Sequence, residues 1–468
     1  MEWAKSNGVA WPGKVEFRDG GVFSKGKDLH PDEEMPRATL ITIPSDLILS
    51  SDMVPRYVFE KIKEEVPFTL WRLDHDEMLT KAFCLTLMEL EEDAKGKESR
   101  WFPYLQALPQ SFQSGIHWTK KERKYAKRLF LVRALREVRW EWKGCRHILK
   151  RVAPGRYAND RIKWAYSVVQ ARARIRSSAD QAELSSLFDC PVEMACLGDT
   201  VDTALSTTVH ISSAGGNGKV TRLLTKGYEA MVLFGNAEDG SELHMSFGNA
   251  GKPHILLVKN GFVDYSARTV PVTRYINISA KNGGRRMGFC DYEKMAFRCD
   301  TGRYTDDLYD AVIYAVAKSN IKKGDDFQEA VDVIERIRAT LRKGEKPSKR
   351  DRELLLLIRK LFRKVVLEKL ADAVTENLEF LGPVPEDEVD PKKHRCWNLL
   401  RDYHRFLLLT YNKALRFLEA ELKAFEKLES HAAVHQASML SFDWEQRKPK
   451  WKRRLDEMSV DFRDDREW

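Results

Sequence analysis

Between Val15 and Ser50 the apolar residues come in short runs broken by turn residues. Asp19-Gly20-Gly21 and Lys25-Gly26-Lys27 punctuate them, and Ala38-Thr39-Leu40-Ile41-Thr42-Ile43-Pro44 reads as a strand that its proline stops. From residue 52 to 150 the period changes to that of a helix, through Met78-Leu79, Phe83, Leu85 to Met88 and Leu90, and again through Leu129 to Leu131, Leu135 and Val138. The helical pattern returns at Arg161 to Ile175. Strand-like pieces follow at Ser206 to Ile211, Val220 to Leu224, Ala230 to Phe234 and Leu243 to Phe247, with Gly215 to Gly218 and Asp239-Gly240 as turns. From Thr305 the pattern is almost wholly helical, notably Arg352 to Phe380 and Trp397 to Leu428, joined by an acidic, proline-containing link from Pro383 to Pro391.

The order is therefore a β-unit, a helical insert, a second β-unit and a helical domain, which predicts an α+β class with a split β-fold. The expected divisions are 1–51, 52–150, 151–270, 271–442 and a charged tail, 443–468, carrying Trp444, Trp451 and Trp468. The 468 residues suffice for two or three such domains without disulfide staples.

Composition narrows the function classes. No apolar run approaches a membrane span, so membrane partners are not expected. Seven cysteines, at 84, 145, 190, 196, 290, 299 and 396, show no metal-ligand spacing, which predicts no structural metal and a reducing compartment such as cytoplasm, nucleus or plastid. The first residues offer no targeting segment. The net charge of +9 is modest for 79 basic and 70 acidic residues, but two segments are locally basic, 120–128 and 447–454. Any nucleic-acid contact is expected there; a solvated helix face is the plainer reading.

Several motifs invite chemistry and are read more plainly. Gly215-Gly216-Asn217-Gly218-Lys219 lacks the spacing of a phosphate loop and reads as a hairpin turn. Glu242 and His244 share a strand face without a third partner, and Cys290 and Cys299 read as buried thiols. Trp397 is expected to pack within the chain, while the tail tryptophans suit a docking surface.

A distributed set of motifs resembles a known family. Trp3 to Val9, Gly20-Gly21-Val22-Phe23-Ser24, Ser99-Arg100-Trp101-Phe102-Pro103-Tyr104-Leu105-Gln106-Ala107-Leu108-Pro109, Phe112, His117-Trp118, Trp164 to Arg172 and Leu243 to Val263 occur in order and spacing. Together they resemble the Rubisco large-subunit methyltransferase group of SET proteins, which includes ribosomal-protein lysine and actin-histidine methyltransferases. The match spans roughly residues 3 to 265. The helical remainder fits that group's substrate-binding domain by pattern.

The resemblance implies S-adenosylmethionine as cofactor, if the chain takes one, and a protein as substrate or partner. It assigns the cofactor to the backbone around Gly21 and Phe23, to Arg172 as carboxylate ligand, and to Glu193-Met194-Ala195-Cys196-Leu197. In that last motif Cys196 and Leu197 stand where the family has Asn-His, and Glu193 stands where it has aspartate. The family's two tyrosines are replaced as well, by Phe247 before Gly248 and by Asn260 before Gly261-Phe262. Phenylalanine neither donates nor accepts, and asparagine lacks the phenol ring. These departures predict that catalysis is lost or weakened and that the chain works as a protein-binding or scaffold subunit. The alternatives are an active lysine or histidine N-methyltransferase with an atypical site, and a pocket repurposed for another small molecule.

Overall fold

The computed structural model describes residues 2–11, 15–18, 21–25, 37–47, 49, 51–70, 76–172, 174–176, 183–185, 205–210, 219–224, 228–234, 240, 253–263, 265, 267–271, 295–320, 325–386, 389–390 and 392–436. The chain opens with α1 (Glu2–Ser6), then a hairpin of β1 (Val15–Arg18) and β2 (Gly21–Ser24), and β3 (Arg37–Pro44), whose last residue is the expected proline stop. Helices α2 (Arg56–Leu70), α3 (Asp76–Lys95), α4 (Phe102–Ala107), α5 (Lys120–Arg128), α6 (Val132–Val152) and α7 (Asn159–Arg172) follow. A hairpin of β4 (Arg174–Arg176) and β5 (Glu183–Ser185) precedes β6 (Leu205–His210), β7 (Lys219–Leu224), β8 (Tyr228–Phe234) and α8 (Pro253–Asn260). The rest comprises β9 (Thr269–Pro271), β10 (Ala296–Arg298), α9 (Asp306–Asn320), α10 (Asp325–Arg342), α11 (Lys349–Leu381) and α12 (Trp397–Gln436).

The main sheet has the order β3-β8-β7-β6, all antiparallel, with Arg37 opposite Phe234 and Pro44 opposite Tyr228. A strand from before the helical insert thus closes on strands from after it, so the β-fold is split and the class is α+β. One local expectation is corrected. The helix expected to reach Ile175 ends at Arg172, because Ile175 pairs with Leu184 in the β4–β5 hairpin. Residues 253–260, inside the closing motif, form a helix that starts at Pro253, whose missing N–H costs nothing in a first turn. The strand expected at 243–247, the pair Glu242 and His244, and the loop 215–218 lie outside the described residues.

The chain divides into two compact units. The first is built from the described residues of Met1–Lys127, Leu131–Asp264 and Val389–Leu399, the second from those of Arg128–Phe130, Tyr265–Glu388 and Leu400–Trp468. In the first, α3 packs on α2 and α7, and α6 on α2, α7 and α8, burying Phe83, Leu85, Leu135, Val138, Ile148, Val168 and Leu257. Leu135, Val138, Cys145, Ile148 and Leu149 recur at helical spacing along one side of α6, as an amphipathic helix requires.

The motif around Trp101 fastens the insert. Trp101 Nε1 donates to the Leu47 carbonyl at 2.9 Å, the Ser99 hydroxyl donates to Glu92 at 2.7 Å, and Arg100 pairs with Asp46 at 2.7 Å. Trp164 Nε1 donates to the Pro109 carbonyl at 2.9 Å. A capping box opens α5: the Thr119 N–H donates to Glu122 at 2.7 Å and the Glu122 N–H to Thr119 Oγ1 at 3.3 Å. The other Glu122 oxygen accepts from the Cys396 N–H at 2.8 Å. Beside it Trp397 is buried with its ring 4.8 Å from that of Tyr125, which bears out the expectation that Trp397 packs within the chain.

In the second unit α11 begins at a Ser348 cap that accepts from the Asp351 N–H, and packs with α9 and α10. Arg359 on α11 pairs with Asp310 on α9 at 2.9 Å. Cys299, expected to be buried, is half-exposed, since it sits at the end of the short β9–β10 pairing. Among the described residues no helix is long and apolar enough to cross a membrane.

Candidate functional site

Of the described candidate site residues, Asn260 and Arg172 lie where α7, α8 and α6 meet. Helix α8 ends at Asn260 because Gly261 takes φ +81°, a left-handed conformation that a side chain disfavours. The Gly261 N–H closes the helix on the carbonyls of Leu256 and Leu257 at 3.1 and 3.2 Å. A Cβ on Gly261 would stand 2.7 Å from the backbone carbon of Gln113, so glycine is needed for closeness as well as for φ. The same segment holds α8 through the Gly115 N–H, which donates to the Val258 carbonyl at 2.7 Å.

This termination fixes Asn260 against the end of α7. Its Nδ2 donates to the Gln170 carbonyl at 3.3 Å, two residues before Arg172. A last-turn carbonyl has no partner inside its own helix, so the side-chain amide satisfies a group that would otherwise need water.

Next to it sits a buried polar cluster that the motif reading did not single out. Glu141 on α6 is 6% exposed and accepts from Lys259 Nζ at 3.2 and 3.5 Å, from the Tyr166 hydroxyl at 3.4 Å and from Gln170 Nε2 at 3.4 Å. Gln170 Nε2 also donates to the Tyr166 hydroxyl at 2.9 Å. Burial, then the Glu141 charge, holds the Tyr166 phenol far above its ordinary pKa, so it stays protonated and donates. These groups are spent on one another and brace three helices. One signal was legible: Glu141 interrupts the apolar row of α6 between Val138 and Cys145, where a lone carboxylate demands partners.

A second half-buried group lies on the middle of α7, about one turn before Gln170. The Ser167 hydroxyl has one proton and donates it to the Lys163 carbonyl at 2.7 Å, so His117 Nε2 must donate to Ser167 Oγ, also at 2.7 Å. Burial, and then the charge of Lys163, lowers the His117 pKa to about 4. The ring is neutral at physiological pH.

The sequence-predicted site residues therefore divide as follows. Asn260 is brought to the end of the helix that Arg172 terminates, and Gly21 and Phe23 lie on β2, with Gly21 opposite Arg18 and Phe23 opposite Glu16. Glu193, Cys196, Leu197 and Phe247 lie outside the described residues. Among the described residues no three His, Cys, Asp or Glu side chains group as metal ligands.

No protein-family model matches the chain. No curated protein matches its sequence. Solved structures do resemble it. The SET domain of LSMT bound to MeLysine and AdoHcy superposes with a TM-score of 0.51 at 13% identity, over 91% of this chain and 92% of that one. The SET domain of LSMT bound to lysine and AdoHcy gives 0.50 at 14% identity, over 99% and 95%. Rubisco LSMT bound to sinefungin and monomethyllysine gives 0.50 at 14%, over 97% and 94%. At this identity the likeness establishes the fold: the chain has a SET-type split β-fold followed by helices.

Proposed function

We propose that the chain is a SET-fold relative of protein-lysine methyltransferases in which methyl transfer is lost or much weakened, and that it works as a protein-binding subunit of a larger complex. In this reading 1–51 and 151–270 are the SET segments, 52–150 the insert, 271–442 a substrate-binding-like domain and 443–468 a charged tail. The observation that carries it is Asn260. The residue that stands where the family has its second tyrosine is engaged as a helix brace on the Gln170 carbonyl, and its amide has no phenol to orient an amine.

The donor set also fits S-adenosylmethionine poorly. Cys196 and Leu197 offer neither amide nor imidazole, and two lost hydrogen bonds cost roughly 1–3 kcal/mol each. No catalytic step is derived through that group. An active enzyme with an atypical site is the second reading. It is favoured by α7, which ends at Arg172, and by β2, which opens at Gly21, since both are elements on which the family rests its cofactor.

The test is methyl transfer from isotopically labelled S-adenosylmethionine to cell proteins, run beside affinity purification of the full chain. The expected result is no label above background and a protein partner retained in fixed stoichiometry. Label on a protein that disappears when Arg172 is changed to Ala would replace this reading with the second.

A further inference from the structure

The excess positive charge of the chain is concentrated in one place. Residues 120–152, which cover α5 and α6, hold thirteen lysines and arginines against three acids, a net of +10, whereas the whole chain carries +9. The remainder is thus nearly neutral. Two of the three acids are buried and turned inward, Glu122 to backbone N–H groups and Glu141 to the cluster with Lys259. The third, Glu137, pairs with Arg133 at 2.9 Å.

The cations on α6 are also sorted by face. At 3.6 residues per turn, Arg136, Arg139, Lys143, Arg146 and Lys150 form one stripe opposite the buried apolar row. Arg139 is half-buried and the other four are exposed. Cations beside the stripe are neutralised, Arg133 by Glu137 and Arg151 by Glu65 at 2.8 Å. The five on the stripe have no ion-pair or hydrogen-bond partner among the described residues. At Arg139 the stripe meets Arg123 of α5 and Lys163 of α7. After burial, mutual repulsion lowers the pKa of Lys163 and of Arg123. Glu122 and Asp160 offset only part of this repulsion, and the positive excess that remains is what an anionic ligand would relieve.

We propose that the α6 stripe is a binding surface for the phosphate backbone of a nucleic acid, engaged without reading bases. A rise of 1.5 Å per residue spreads the five cations over about 21 Å, one roughly every 5 Å, so a polymer with a charge every ~3.4 Å per strand offers each cation a phosphate. A membrane fits less well, because the apolar side of α6 is consumed in the core and nothing is left to insert. An acidic protein also fits less well. The large apolar residue exposed on α6 is Val132, at 38%, the half-buried Trp140 and Trp142 flank the stripe and do not stand on it, and protein interfaces are depleted in lysine.

The experiment is fluorescence anisotropy of the full chain with a labelled single-stranded RNA of about 20 nucleotides and a DNA duplex of similar length, across ~50–300 mM salt. The stripe variant is Arg136→Gln, Lys143→Gln, Arg146→Gln. An equal charge loss on and before α11, Lys346→Gln, Lys349→Gln, Arg352→Gln, is the control, and thermal melts verify that both variants fold. The wild type and the control should bind with a steep salt dependence. The stripe variant should bind about 10–100-fold more weakly, with its log–log salt slope reduced by about 2–3. The proposal is overturned by no wild-type binding at low salt, by equal losses in control and stripe variant, or by binding only to polyglutamate or to anionic vesicles.

Discussion

Helix α6 handles charge in opposite ways on its two sides. On the inner side Glu141 is almost wholly buried, and Lys259, Tyr166 and Gln170 are turned onto it. On the outer side Arg136, Lys143, Arg146 and Lys150 stand in solvent without a counter-ion among the described residues. A buried charge must be matched or the fold loses several kcal/mol, whereas an exposed cation contributes little to stability. The inner set is therefore explained by folding, and the outer set is not. Such a surplus directs attention to what the surface meets.

The sharpest way to break this contrast is Glu141→Ala. It strips the Lys259 ammonium, the Tyr166 hydroxyl and the Gln170 amide of their acceptor, and should destabilise the first unit by about 2–4 kcal/mol in urea unfolding, Lys259 being partly exposed. Gly261→Ala comes next. It should cost about 2–3 kcal/mol, because it combines a left-handed backbone with a Cβ 2.7 Å from the Gln113 backbone. The same assay reads it, and a loss below about 0.5 kcal/mol would show that α8 can shift away from Gln113.

A smaller effect follows from His117. Its folded pKa, about 4, lies below the unfolded value of 6.5, so the unfolded chain binds the proton first as the pH falls. The stability it contributes is complete above about 6.5 and is lost as the pH drops towards 4. Allowing for its partial exposure, that is roughly 1–2 kcal/mol. His117→Asn should flatten this part of a pH–stability profile; the neutral His404, with the same direction of shift, leaves a residual slope. Smallest of all, the triple stripe substitution should change stability by less than about 0.5 kcal/mol. A larger loss would mean that the outer charges serve the fold after all.

Much of the architecture was legible. Pro44 stopped β3 where expected, the change of period from 2 to 3.6 marked the insert, and Trp397 packed as an aromatic beside an apolar row should. The pairing of β4 with β5 was not legible, because three-residue strands carry too little alternation to outweigh the helical run before them. Nor was α8: Ile255 to Val258 is a short apolar block that a strand or a helix could use, and the helix is decided by Pro253 at its start and Gly261 past its end. At the site, Asn260 was found through its place in a motif, but its partner was a backbone carbonyl, which no sequence pattern encodes. The Glu141 cluster joins residues from 141, 166, 170 and 259, brought together only by the packing of α6, α7 and α8.

The most direct test of the account is calorimetric titration of the folded full chain with S-adenosylmethionine and S-adenosylhomocysteine. The account predicts no measurable heat at about millimolar cofactor, a limit near −4 kcal/mol of binding. Micromolar binding, about −8 kcal/mol, would require most of the cofactor contacts to be intact and would contradict the proposal that Cys196, Leu197 and Asn260 mark a retired site.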